Sequence, residues 1–123
     1  MKLQANISSG QHVIAAHGPG WVDVDGNRYR RSLLVSPAGI DAQWGPETFA
    51  GLTEAHLAPL AAFAGAVVLL GTGARQHFPS QALLRAPIEA GIGVELMDTA
   101  AACRTYNIVV AEGRLAVAAL IIE

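Results

Sequence analysis

The stretch AVVLLGTG, residues 66–73, decides the fold predicted for this chain. Its first five residues are apolar without interruption, and Gly65 and Gly71 bound the run. Such runs are typical of a central strand that is buried on both faces of a parallel sheet. We therefore predict an interior strand over residues 66–70, which ends in a turn containing Gly71 and Gly73.

The sequence after this strand alternates helical and extended patterns. We predict a helix around residues 80–90, bent or interrupted at Pro87 and ending at Gly91, and then a strand over IGVELM, residues 92–97. Strands that alternate with helices indicate parallel strands joined by right-handed crossovers. The fold class is therefore α/β.

The last third of the chain is predicted to add a short helix and a hairpin. Asp98 or Thr99 caps an alanine-rich helix that runs to about Tyr106. The stretches IVVAE (108–112) and RLAVAALIIE (114–123) then form a terminal hairpin. This hairpin adds an antiparallel strand, so that the sheet is mixed.

The first third is predicted to be rich in β structure. HVIAA (12–16) reads as a strand, and WVDV (21–24) and RYRRSLLVS (28–36) flank an Asp-Gly pair at residues 25–26. An Asp-Gly pair between such runs is a strong hairpin signal. A further extended piece is expected around residues 40–44.

A helix is predicted to begin after Leu52. Thr53 is its expected N-cap, and Leu52 and Leu57 then occupy the two positions of a hydrophobic staple. Pro59 removes a backbone hydrogen bond inside a helix, so a kink or a later start is expected there.

Composition predicts one compact domain. Of the 123 residues, 52% are hydrophobic and 15% are charged, which is unlike a disordered chain. We predict a polar N-terminal segment over residues 1–11 and a single α/β domain over residues 12–123. The formal charge of −2 supplies no general attraction to nucleic acid, which is not expected as a partner.

The densest basic cluster is Arg28, Arg30 and Arg31, which is read as a solvated strand face. Cys103 is the only cysteine, so the chain forms no internal disulfide and a reducing compartment is expected. MKLQANISSG lacks the pattern of a signal peptide, and the apolar runs are shorter than the roughly 20 residues of a membrane span. A cytoplasmic protein without membrane insertion is the expectation.

The first candidate site is the glycine turn LLGTGARQHFPS, residues 69–80. Gly71 and Gly73 match the start of a dinucleotide fingerprint, but Gln76 stands at its third glycine position. Backbone amides of Gly71, Thr72 and Gly73, with Arg75 beside them, could hold an anionic ligand at the carboxyl end of the strand. The alternative is that the glycines only permit tight backbone geometry.

The second candidate is the segment Thr105, Tyr106 and Asn107, after Arg104. In one interpretation Asn107 stops the helix in a left-handed conformation and the hydroxyls satisfy free carbonyls. In the other, the segment lies beside the glycine turn and lines a polar pocket with it.

Catalytic residues, metal ligands and cofactors are not predicted. The four histidines show no pairing at ligand spacing, and the VDVDG stretch lacks the later ligands of a calcium loop. Ser36 has no nucleophile elbow, and Cys103 has no identifiable base. We therefore expect neither a metal site nor a nucleophilic enzyme.

Several stretches together resemble a known family. They are GWVDVDGNRYR, SLLVSP (32–37), Trp44, LLGTG (69–73), Pro79, GIGVELMDTAAACRTYN (91–107) and EGRLAVAAL (112–120). Their order and spacing over about residues 12–122 are similar to the Mth938-like domain family of unknown function. The resemblance implies a three-layer fold with a central five-stranded mixed sheet, one strand antiparallel, and additional β hairpin structure. It also implies that the glycine turn and the Thr-Tyr-Asn segment belong to one patch.

Two function hypotheses follow. The first is a non-enzymatic binding or assembly module, because a mitochondrial member of the family is similar to an assembly chaperone for respiratory complex I; respiratory-complex subunits are then the expected protein partners. The second is a small-molecule site, as a binding protein or an enzyme, at the Gly71–Gly73 turn. Trp21, Trp44 and Phe78 are read as interface anchors or as core, and short edge strands are compatible with a homo-oligomer.

Overall fold

The structure is a computed structural model that describes residues 10–123. Within them the strands are β1 (Ile14–Gly18), β2 (Trp21–Val24), β3 (Asn27–Tyr29), β4 (Leu33–Ser36), β5 (Gly39–Asp41), β6 (Val67–Gly71), β7 (Val94–Met97) and β8 (Ala116–Leu120). The α-helices are α1 (Glu54–Leu57), α2 (Arg85–Glu89) and α3 (Thr99–Ala111). Short 3₁₀ helices cover Phe49–Gly51, Ala58–Ala62 and Gln81–Leu84.

The central sheet has five strands in the order β5-β4-β8-β6-β7. Strand β6 pairs in parallel with both β7 and β8, while β4 pairs antiparallel with both β8 and β5. Four strands therefore run in one direction and β4 runs in the other. The prediction of a mixed α/β sheet with one antiparallel strand is confirmed, and so is the interior position of β6.

The sheet is the middle of three layers. Alternation along β8 shows this, because Ala116, Ala118 and Leu120 face one hydrophobic cluster while Val117 and Ala119 face the other. The first cluster packs the sheet against α3 and the small sheet of β1 to β3. The second packs it against the short helices, through buried residues such as Leu57, Leu60 and Leu84.

The small sheet is built around the predicted Asp-Gly turn. Asp25 (φ 51°) and Gly26 (φ 85°) both have positive φ, the geometry that a two-residue hairpin turn requires between β2 and β3. The Asp25 carboxylate accepts the Val13 N–H at 2.9 Å and is hydrogen-bonded to the His12 ring. Burial acts against its ionisation, but these two contacts outweigh burial and lower the pKa of Asp25.

The second strand predicted for this hairpin, residues 28–36, is too long, because the structure divides it into two strands. Strand β3 ends at Tyr29, and β4 begins at Leu33 in the other sheet. The reason is a buried tether between them, because the Ser32 hydroxyl donates to the Pro46 carbonyl at 2.6 Å and accepts the Ile122 N–H at 3.0 Å. This tether holds the chain where it crosses from the small sheet to the large one.

The helix predicted after Leu52 is confirmed with its cap. The Thr53 hydroxyl accepts the His56 N–H at 3.3 Å, and the His56 ring accepts the Thr53 N–H at 3.0 Å. Pro59 acts as expected, because the α-helix ends at Leu57 and continues as a 3₁₀ segment. The helix predicted at residues 80–90 is likewise split, into a 3₁₀ turn and α2, and Gly91 has a φ of 77°.

The predicted terminal hairpin is wrong. Residues 108–111 belong to α3, and β8 lies between β4 and β6 with no hairpin partner. Isoleucine and valine in this stretch suggested a strand, but Val109 and Val110 complete a helical stripe of buried residues with Cys103 and Tyr106. The helix ends instead before Gly113, which has a φ of 79°.

Candidate functional site

The candidate site lies where the parallel strands β6, β7 and β8 end. The carboxyl ends of parallel strands meet at one edge of the sheet, where α/β proteins commonly bind ligands. Here the edge carries a pocket of about 260 Å³. We call it the edge pocket, and it is lined by residues 17–22, 73–74, 99–100 and 121–123.

The β1–β2 connection forms one wall of the edge pocket. It contains Gly18, Pro19 and Gly20, and Trp21 follows as a half-buried side chain. Gly18 is required there, because a Cβ atom would lie 2.7 Å from the Trp21 ring. The Arg28 guanidinium lies 3.8 Å from the centroid of the same ring. Trp21 is therefore held in place from both sides.

Arg28 is in turn fixed by Asp23. The guanidinium donates to both carboxylate oxygens, at 2.8 and 3.1 Å. This hydrogen bonding lowers the pKa of Asp23, with smaller contributions from the charges of Arg28 and Arg30. The pair and the tryptophan together form an ordered wall on the exposed face of the small sheet.

The glycine turn forms the opposite wall, and close packing explains both of its glycines. A Cβ at Gly71 would lie 2.9 Å from the Thr99 Cα atom. Gly73 has a φ of 110°, and a Cβ there would lie 2.6 Å from the Cδ atom of Glu123. The turn therefore needs glycine at both positions for steric reasons, whatever else it does.

The amides of this turn already have acceptors inside the protein. The Gly73 N–H donates to the Thr99 hydroxyl at 2.9 Å, and that hydroxyl donates to the Ile121 carbonyl at 2.6 Å. The Ala74 N–H donates to a Glu123 carboxylate oxygen at 3.2 Å. An anionic ligand at these amides would have to displace Glu123.

Thr72 and Arg75 of the predicted site have different surroundings. Thr72 is fully buried, and its hydroxyl lies 2.9 Å from the Arg75 carbonyl and accepts the His77 N–H at 3.0 Å. The Arg75 side chain is exposed and is not part of the edge pocket lining. Thr72 therefore orders the loop, while Arg75 lies on its surface.

The loop after the glycine turn presents an aromatic surface. The His77 ring stacks on Phe49 with centroids 4.6 Å apart and planes at 16°. The Phe49 N–H donates to the second carboxylate oxygen of Glu123 at 3.2 Å, which links this stack to the edge pocket. Phe78 follows with 73% of its side chain exposed.

The structure does not bring Thr105, Tyr106 and Asn107 to the glycine turn. They lie in the middle of α3 and hold the small sheet: the Tyr106 hydroxyl donates to the His12 carbonyl at 2.8 Å. Asn107 accepts the Ile14 N–H at 3.1 Å and donates to the Ile14 carbonyl at 2.6 Å. The expected helix stop at Asn107 is therefore wrong. Burial, and then the charge of Asp25, raises the pKa of Tyr106.

Cys103 lies in the core, away from solvent. Cys103 is fully buried, and burial raises the pKa of its thiol to about 12. Within residues 10–123, no three histidine, cysteine or acidic side chains come together as a metal site. None of the helices in those residues has the length and apolar character needed to cross a bilayer.

The candidate residues that sequence reasoning missed are the residue 17–20 turn and Glu123. No role is predicted from the sequence for residues 17–20, and Glu123 is predicted only as the last residue of a strand. The interpretation of Trp21 as an interface anchor was the one signal in the sequence that pointed to the wall it forms. Glu123 had none, because its contacts are with residues 49 and 74 far away in sequence.

Comparison with known proteins gives a family and a fold. A family model described as "Protein of unknown function (DUF498/DUF598)" matches residues 14–121. NADH dehydrogenase (ubiquinone) 1 alpha subcomplex assembly factor 3 of Danio rerio is 35% identical over 121 residues, 97% of this chain and 68% of that protein. The chain thus spans about two thirds of the length of that relative.

Two solved structures are similar over nearly the whole domain. A crystal structure of a Bordetella parapertussis protein has a TM-score of 0.81 at 39% identity, and the match covers 92% of this chain and 97% of that one. A solution NMR structure of a Bordetella pertussis protein, described as a Mth938-like domain, has a TM-score of 0.76 at 34% identity. That match covers 99% of this chain and 92% of the other.

Proposed function

The chain belongs to the DUF498/DUF598 family and is similar in structure to a Mth938-like domain, and on this premise we propose that it is a non-enzymatic protein-binding or assembly module. Its docking surface is the edge pocket together with the aromatic loop at residues 77–78. The observation that carries the proposal is the apolar, tryptophan-walled pocket at the carboxyl edge of the sheet, with an exposed phenylalanine in the loop that follows the glycine turn.

Three features support docking over catalysis. Aromatic side chains are enriched at the centres of protein interfaces, and Trp21 and Phe78 are both accessible to solvent. The Gly73 and Ala74 amides, which could otherwise stabilise an oxyanion, are bonded to Thr99 and Glu123. The Cys103 thiol is buried and stays protonated at neutral pH.

The name of the Danio rerio relative indicates which class of partner to propose. That protein is called an assembly factor of an NADH dehydrogenase subcomplex. We extend this role to the present chain and propose that its partners are respiratory-complex subunits.

The test fills the pocket without disturbing the core. Ala100 is exposed and lines the edge pocket, so Ala100→Trp blocks it, while Ala111→Trp at the other end of α3 is the matched control. Cross-linked affinity capture from the native cell should recover the same partner with the wild type and the control, but not with Ala100→Trp. Recovery of the wild-type protein alone contradicts the function, and unchanged capture by Ala100→Trp contradicts the docking surface.

A small-molecule ligand is the second candidate, because the pocket lies at the edge where open α/β sheets bind ligands. A ligand that binds only the folded state raises its stability by RT ln(1 + [L]/Kd), about 2.7 kcal/mol at a hundredfold excess over Kd. A thermal-shift screen of nucleotides, flavins and phosphorylated metabolites tests this, with Ala100→Trp, which fills the edge pocket, as the variant that should lose the shift. No shift with any compound counts against it.

A further inference from the structure

A second pocket, of about 450 Å³, opens on the other side of Ile122. We call it the arginine pocket, and it is lined by residues 30–32, 42–47 and 122. Its floor is rigid, because the Ser32 hydroxyl is bonded to both Pro46 and Ile122. Gly45 (φ 89°) lets the loop pass Ser32, since a Cβ there would lie 3.2 Å from the Ser32 Cβ.

Two arginines that line this pocket are exposed. Neither Arg30 nor Arg31 has a carboxylate oxygen within 4.0 Å among residues 10–123, whereas Arg28 next to them is paired with Asp23. Glu47 also lines the pocket and is exposed. The lining therefore carries two guanidinium groups against one carboxylate and attracts anions.

The two pockets are neighbours, because Ile122 lies between them and lines both. An extended segment that crosses Ile122 therefore contacts the apolar edge pocket on one side and the two guanidinium groups on the other. Guanidinium groups match the planar geometry of carboxylates and bind them through paired hydrogen bonds. The surface thus fits a segment in which an apolar side chain is followed by acidic ones.

We propose that the arginine pocket binds the carboxylate side chains of an acidic segment of the protein partner, whose neighbouring apolar side chain occupies the edge pocket. This proposal rests on the proposed function and adds the chemistry of the partner. Charge complementarity carries it: Arg30 and Arg31 supply the positive charge that such a segment needs. The pairing of Arg28 leaves only these two of the basic cluster for a partner.

The test titrates the full chain, labelled for amide NMR, with a short synthetic peptide of glutamate and serine with one central phenylalanine. A lysine version of the peptide, inorganic phosphate and phosphatidylserine vesicles are the other arms. The acidic peptide should shift the amides of Gln43, Glu47 and Ile122 and bind at least about tenfold more tightly than the lysine version.

Variants of equal charge change separate the site from general attraction. Arg30→Ala with Arg31→Ala should weaken the acidic peptide about tenfold or more, because paired charge-assisted hydrogen bonds are lost. Arg75→Ala with Arg104→Ala, which removes two other exposed arginines, should change the affinity less than about threefold. Amide spectra of each variant report on its fold.

Four results of the peptide titration would overturn the proposal. The first is an equal loss of peptide affinity in the two double variants, and the second is binding of the lysine peptide as tight as that of the acidic one. The third is that inorganic phosphate shifts the same amides with the same affinity as the acidic peptide. The fourth is that the protein binds the vesicles but not the acidic peptide. Partner capture separates this proposal from the function itself. If the double variant Arg30→Ala with Arg31→Ala still captures the native partner while Ala100→Trp does not, only the acidic-segment proposal is refuted. If the wild type captures no partner, the proposed function itself is refuted.

Discussion

Replacement of Asn107 by alanine should lower the free energy of unfolding without affecting the edge pocket. The side-chain amide of Asn107 satisfies both backbone groups of Ile14, an almost fully buried residue of β1. A buried backbone group left without a partner costs about 1–3 kcal/mol. Asn107 is itself partly accessible, so water reaches part of the vacated site, and we take about 1–2 kcal/mol for each group.

The helix propensity of alanine acts in the opposite direction by up to about 0.7 kcal/mol. The expected net loss of unfolding free energy for Asn107→Ala is therefore about 1–3 kcal/mol. Urea unfolding followed by circular dichroism measures it, with Arg104→Ala on the exposed face of the same helix as the control, expected within about 0.5 kcal/mol.

Two results would refute this reasoning. A loss below about 0.5 kcal/mol in Asn107→Ala would show that the amide does not hold β1 against α3. A variant that keeps its stability but loses a ligand or partner would instead make Asn107 a binding residue, as one interpretation of the sequence had it.

Three further predictions concern other parts of the fold. Gly73→Ala should lower the unfolding free energy by about 1–3 kcal/mol, because φ is positive at this residue and the Glu123 carboxylate occupies the position of the added Cβ. The control is Gly93→Ala, which should change the unfolding free energy little because the space around its Cβ is open. Urea unfolding measures both. Cys103 should react with a thiol reagent at pH 8 only as fast as the protein opens, and reaction as rapid as in urea would contradict its burial. Because burial raises the pKa of its thiol to about 12, the free energy of unfolding should decline as pH rises above the unfolded thiol pKa of about 8.5. Asp25→Asn should reduce the loss of stability in acid. The pKa of Asp25 is lowered in the folded state, so its carboxylate contributes stability above the unfolded pKa of about 3.9, and this contribution disappears as pH falls through the folded pKa. Unfolding curves at several acidic pH values measure this, and an unchanged dependence of the unfolding free energy on pH would contradict it.

The sequence predicted the elements that a local pattern defines. The apolar run at residues 66–70 has one structural solution, a strand buried on both faces, and the Asp-Gly pair at residues 25–26 has one favoured turn. The cap at Thr53 and the break at Pro59 also follow from neighbouring residues alone.

Residues 108–111 show where local pattern is insufficient. A short β-branched run suits a strand and a buried helix face equally well, and only the packing of Val109 and Val110 with Cys103 and Tyr106 decides for the helix. Tertiary burial here overrides the intrinsic preference of valine and isoleucine.

The candidate site could be predicted only in part. The carboxyl end of β6 was placed correctly, because a strand that ends in glycines is visible in the sequence. The pocket itself is formed by residues 17–22, 73–74, 99–100 and 121–123, which only the sheet order brings together. No local pattern shows that Glu123 accepts the Ala74 amide or that Ile122 separates two pockets.

Site-specific photo-cross-linking in the native cell tests the docking surface most directly. A photoreactive amino acid at Ala100, in the edge pocket, should form a discrete adduct with one partner protein, and mass spectrometry should place the cross-linked partner residue beside acidic side chains. The same group at Ala111 should form no such adduct. Equal adducts at both positions, or none at Ala100 while the partner still cross-links elsewhere on the chain, would contradict docking at the carboxyl edge of the sheet.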